Sequence, residues 1–377
     1  MRAALLLTLI AATTQAQFQI QTSNTTANLR GIHSLGNGLA WASGSDGTIL
    51  HTEDNGAHWR RCTTPPNAET LDFRGIQAFD NKTAIVMSSG PGDQSRLYKT
   101  TDGCNTWKLI FTNPDKDGFW DALLFNNRNH GVLFGDPVNG KFYARETFNG
   151  GLHWQTFFYD DMLRTGSESG MFAASNSSFV IAGNGKIIFA VDNLKEFTGY
   201  FEAEFGPHPC HASDSTSLKT CGHDYLWTQS GLLPLAKTGE SSGVFSVAAN
   251  SKTAKGFFKL VAVGGDYKKP DEPGSAIYCT QDPNPSENVE TWPWQPAQTP
   301  PHGYRSAVAY NAPTKTWITL GPNGTDISTD DGRNWRALKP SPREAPDSDQ
   351  HWNALSLPFA VGPAGRIGLL NPTALKP

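Results

Sequence analysis

The sequence is poor in the features that mark several common functions. Its 31 basic and 35 acidic residues nearly cancel, and no dense basic run appears. The footprint of a phosphate-backbone binder is missing, so nucleic acid is not an expected partner. Five cysteines do not define a disulfide scaffold in 377 residues, and no Cys-x-x-Cys or His-x-x-x-His spacing suggests zinc. There is no Gly-rich dinucleotide loop between a strand and a helix. No cofactor and no metal are expected. The one long apolar run, Ala3 to Ala12, is too short to span a bilayer, so the chain is not expected to be membrane-spanning.

That run reads instead as an export signal. Arg2 precedes it, and Thr14-Gln15-Ala16 offers small residues for cleavage near Ala16. The expectation is a secreted or periplasmic monomer, with residues 1–16 removed and 17–377 forming one domain. In such a compartment Cys210 and Cys221, inside an irregular stretch, are the expected disulfide. At least one of Cys62, Cys104 and Cys279 then lacks an internal partner.

Glycine and the large aromatics are plentiful: 37 Gly, 11 Trp and 21 Phe, with 25 Pro, suggest many short strands joined by tight turns. One turn returns. TEDNGAHW (Thr52, Asp54, Gly56, Trp59) is repeated as STDDGRNW (Ser328, Asp330, Gly332, Trp335) and, with Asn for Asp, as TFNGGLHW (Thr147, Asn149, Gly151, Trp154). TTDGCNTW (Thr100, Asp102, Trp107) keeps the Asp and Trp but slides the Gly forward by one. The Asp or Asn accepts N–H groups of the following turn, the Gly allows positive φ, and the Trp buries a ring at the next strand.

A longer-range signal frames this turn. A small residue followed by an apolar one opens a strand at Gly31, Gly75, Ala122, Gly170, Gly243, Ala307 and Ala354. Each unit then reads as four short strands, the second ending in Gly44, Gly90, Gly135, Gly183, Gly264, Gly321 or Gly362. The pattern predicts an all-β fold, a seven-bladed β-propeller of four-stranded antiparallel blades. The last unit is short, so Phe18 to Thr22 is expected to supply its outer strand and close the ring. An insertion, residues 194–241, falls in or after blade four. A solenoid is the competing reading.

On these boxes the chain resembles Asp-box (BNR) repeat proteins. Over nearly its full mature length it is similar to seven-bladed propellers of the photosystem II stability and assembly factor-like group, and more distantly to sortilin-type and xyloglucanase propellers. The resemblance implies a structural role for the boxes, on the face opposite the binding face.

Propeller geometry places function at the entry to each first strand. Arg30, Arg74 and Asp121 are expected to ring the axis, with Trp120, Glu168, Arg305 and Trp352 one step earlier. The turns between second and third strands add Asp136, Asp266, Tyr267 and Lys268 to the same face. A polar mouth with arginines and aromatics is a default binding site, and the expected partner is an exported protein or a glycan. The alternative is a glycoside hydrolase. A sialidase-like reaction would grip a carboxylate with Arg30, Arg74 and Arg305; a xyloglucanase-like one would use Asp121 and Glu168.

Overall fold

The computed structural model describes residues 17–156, 169–181, 187–193, 197–205, 225–235, 239–250, 259–280, 293–340 and 344–375. Residues 1–16, read above as an export signal, and Glu168, Cys210 and Cys221 lie outside these residues. Six antiparallel sheets have four strands each. In the first, Leu29–Gly36, Leu39–Gly44, Ile49–Thr52 and Arg60–Arg61 follow one another outward, each hydrogen-bonded to the next. The fourth unit departs from the expected pattern. Its sheet has five strands, Ser169–Gly170, Phe179–Ile181, Ile187–Asn193, Phe197–Phe205 and Tyr225–Leu232. The last two of these come from the segment read as an insertion.

The innermost strands stand side by side. Leu29–Gly36 packs on Phe73–Ala78, which packs on Trp120–Phe125; Ser242–Ala249 packs on Ala307–Asn311, which packs on Ala354–Ser356; and Ala354–Ser356 returns to Leu29–Gly36. Phe179–Ile181 sits between Trp120–Phe125 and Ser242–Ala249. The circle closes through the N-terminus. Phe18–Gln21 pairs antiparallel with Ile367–Leu370, register Phe18 to Leu370, as the outermost strand of the last sheet. The chain is an all-β propeller.

Side chains stitch the inner strands together. His33 Nδ1 accepts the Ala78 N–H at 2.8 Å, Ser246 Oγ accepts that of Val308 at 3.0 Å, and Ser356 Oγ that of Ser34 at 2.9 Å. In the fourth unit residues 171–178 leave regular strand geometry and serve several neighbours. Asn176 accepts the Leu123 N–H at 2.8 Å and donates to the Leu123 carbonyl at 2.9 Å. Ser175 donates to the Ser306 carbonyl at 2.7 Å, and Ser177 meets Ser246 at 2.7 Å. The five-stranded sheet is therefore irregular where it lines the axis.

The repeated turn has one hydrogen-bond plan. Thr52 Oγ1 donates to Asp54 Oδ1 at 2.9 Å and accepts the Gly56 N–H at 3.0 Å, while the His58 N–H reaches Asp54 Oδ1 at 2.9 Å. The turns at Thr100, Thr147 and Ser328 repeat it, with every distance between 2.8 and 3.1 Å. The fifth position is left-handed in all four: Gly56, Cys104, Gly151 and Gly332 have φ from 63° to 85°. The looser copy carries Cys there because Cys104 is bonded to Cys62, just beyond the outer strand of the preceding sheet. That disulfide ties two neighbouring sheets, and Cys210 and Cys221 lie outside the described residues. Cys279 is buried.

The Trp of each turn does more than close its hairpin. Trp59 packs with Phe359, Val361 and Ile367 of the last sheet, and Trp335 with Val261 and Tyr278 of the sheet before its own. Each is a wedge between neighbours. The glycine expected to end the second strand does so at Gly44 and Gly321, lies inside the strand at Gly135 and just past it at Gly362, and has a packing reason. A Cβ on Gly44, Gly135, Gly321 or Gly362 would strike the carbonyl of Asn28, Phe119, Tyr304 or His351, at the entry to the first strand.

Candidate functional site

The two rows of residues at the strand entries have different fates. Leu29, Phe73, Trp120, Arg305 and Trp352 are all fully buried. Alternation along a strand sends this position into the seam between adjacent sheets. Trp120 and Trp352 belong to the cores there, so neither is a partner contact. Arg305 occupies the same core position. Its Nε donates to Asp326 Oδ2 at 2.8 Å, and Asp326 is buried with it. It is locked, and it does not join Arg30 and Arg74.

Of the row one step later, Arg30 and Arg74 reach the surface, whereas Asp121, expected beside them, is buried with Ser242 and Ser306. Arg74 Nε donates to Asp72 Oδ2 at 2.8 Å, and Arg30 Nη1 lies 3.8 Å from the same oxygen. Their side chains are 25% and 26% exposed. Two guanidinium groups thus share one carboxylate, and Asp72 is a residue the sequence reading did not single out. Burial, and then repulsion from Arg74, hold Arg30 below its ordinary pKa, partly offset by Asp72; an arginine remains charged even so. The Arg74 guanidinium also lies over the Phe119 ring, 5.6 Å from its centre.

Asp121 and Asp136 meet beneath. Asp121 is buried, and burial followed by the neighbouring Asp136 pushes its carboxyl well above the usual range against the pull of Arg74. Its Oδ2 has no hydrogen-bond partner among the described residues. Burial also raises Asp136, whose Oδ1 accepts the Met171 N–H at 3.0 Å. Burial thus opposes the charged form of both carboxyls.

Aromatic rings complete the mouth. Phe172 stacks on Phe245 with centres 3.8 Å apart, and Tyr267 stands edge-on to both at 6.5 and 6.1 Å. Tyr267 is 45% exposed. Buried Tyr304 meets Phe245 at 4.7 Å, and burial raises its hydroxyl pKa while Arg30 pulls the other way. Asp266 Oδ1 accepts the Lys268 N–H at 2.9 Å, shaping the turn that carries Tyr267. Lys268 is exposed on the rim. Phe172, Phe245 and Tyr304 were not foreseen; Tyr304, immediately before Arg305, carried the one available signal. Among the described residues no His, Cys, Asp or Glu group of three or more is arranged to hold a metal ion. No described helix is long and apolar enough to cross a membrane.

Comparison with solved structures identifies the fold. YCF48 from Cyanidioschyzon merolae superposes with a TM-score of 0.61 at 16% identity, over 95% of this chain and 100% of that one. The fold is shared with YCF48. A structure of YCF48 bound to D1 peptide matches at 0.56 and 13% identity, over 94% and 96% of the two chains. The GH74 enzyme of Niastella koreensis matches at 0.57 and 14% identity, over 93% of this chain. This chain spans about half of that enzyme, 53%. No protein-family model matches the chain, and no curated protein does.

Proposed function

We propose that the chain is a seven-bladed, Asp-box propeller of the assembly-factor-like type, exported after cleavage near Ala16, that binds an acidic protein segment and catalyses nothing. The five-stranded sheet is its fourth blade. The observation that carries the binding reading is Arg30 and Arg74 sharing the single carboxylate of Asp72 at the surface. Two guanidinium groups against the one carboxylate they contact leave donors free for a ligand, while burial opposes the charged forms of Asp121 and Asp136. Guanidinium forks suit carboxylates, and Tyr267 beside Phe172 and Phe245 offers an aromatic anchor. The YCF48 structure with D1 peptide, matched over nearly the whole of both chains, supports a protein partner over a glycan.

The test is a panel of fluorescent peptides of graded acidity titrated into the full chain. Acidic members should bind, and Arg30→Ala/Arg74→Ala should abolish the preference. Binding that ignores acidity would remove the reading.

One observation favours a second reading. Asp121 and Asp136 are neighbouring carboxyls raised by burial, Asp121 despite the opposing pull of Arg74, as a general acid requires. A glycoside hydrolase would turn over fluorogenic glycosides and lose that activity in Asp121→Asn. Absence of turnover across sialosides and β-glucans disposes of it.

A further inference from the structure

Arg305 stands in register with Leu29, Phe73, Trp120 and Trp352, where a core side chain is expected. A buried Arg–Asp pair adds little net stability over an apolar one. What this pair does is hold two side chains at the surface. Arg305 Nη1 donates to Asn323 Oδ1 at 2.6 Å, and Asp326 Oδ1 lies 2.8 Å from His302 Nδ1. The orientation of the His302 ring is therefore set from behind.

His302 and Asn323 line a groove of about 750 Å³ together with Lys339, Glu344, Asp349 and Gln350. That volume suits a small ligand. Asp349 is 5% exposed, and burial raises its carboxyl toward the protonated form. Gly324 brings the two close together: a Cβ there would lie 2.9 Å from His302 Nε2 and 3.2 Å from Asp349 Oδ2. Lys339 and Glu344 oppose each other in charge, so the groove favours neither sign. Its lining mixes donors and acceptors, and Pro340 and Pro346 add apolar ring faces.

We propose that this groove is a second binding site, distinct from the arginine mouth, for a neutral hydroxyl-rich ligand, a short saccharide. Asp349 and His302, whose Nε2 also lies 3.3 Å from the Asn323 carbonyl, take one hydroxyl between them, and Lys339 and Gln350 flank it. Nothing in this assignment depends on the ligand of the mouth.

The probes are cellotetraose, maltotetraose and chitotetraose, titrated into the full chain by calorimetry. At least one should bind, and His302→Ala, Asp349→Asn and the exposed Lys339→Ala should each weaken it on the order of tenfold, the loss of one positioned hydrogen bond. Arg30→Ala should leave that affinity unchanged. Unfolding midpoints check that each variant is folded, and Lys339→Ala stands in should a buried-site variant fail. Binding of none of the three sugars overturns the proposal. So does binding that survives the groove substitutions, or that falls only with Arg30→Ala.

Discussion

The carboxylates of the repeated turn hold their protons weakly because the turn donates to them. Asp54 is lowered to about 2, first by the His58 backbone N–H and then by its side chain. Asp102 is likewise lowered to about 2, first by the Thr106 hydroxyl and then by its N–H. A folded-state pKa below the unfolded value of about 3.9 means stability that is present above that pH and lost as pH falls toward 2. Asn149 fills the same position without titrating. The double variant Asp54→Asn/Asp102→Asn should therefore fold at neutral pH and show a flatter fall in unfolding free energy between about pH 4 and 2, measured by urea titration at each pH. Identical slopes would contradict the assignment. Asp121 has the opposite sign. Its raised carboxyl favours the folded state below about pH 3.9 and loses that advantage as pH rises through the folded value. Asp121→Asn should remove this decline, giving a variant at least as stable as the parent at pH 7 in the same experiment.

Element by element, what was legible was what repeats. The box residues and the order of strands follow from local spacing and turn chemistry, which act within one unit, and the closing strand from Phe18 follows from the last unit's lack of an outer strand of its own. The Cys62–Cys104 bond was not legible, because its partners belong to successive sheets 42 residues apart and no local pattern pairs them. Its loop suggests a contribution of about 4 kcal/mol, so Cys62→Ala/Cys104→Ala should lower unfolding free energy by roughly that amount, with reductant having the same effect on the parent only. An equal stability of variant and parent would show that the two sheets are held by packing alone. The fourth unit was misjudged in detail because residues 171–178 serve their neighbours through Ser175, Asn176 and Ser177, a tertiary demand that strand periodicity does not record.

Across the whole molecule, the sequence brought Arg30 and Arg74 to neighbouring strand entries but could not say which side chains there reach the surface. One residue of register separates Arg74, which reaches the surface, from Phe73, which does not, and the same step sends Trp120, Trp352 and Arg305 into the seams. Asp72 precedes the row that was read and so escaped notice, although it sets the charge balance of Arg30 and Arg74. The central claim is that these two arginines, sharing one counter-ion, recognise an acidic partner. The most direct measurement is the affinity of the full chain for its best acidic peptide before and after Arg30→Ala/Arg74→Ala, at low and at physiological salt. The account predicts a loss of at least about tenfold, larger at low salt. An affinity unchanged in the folded double variant would contradict it.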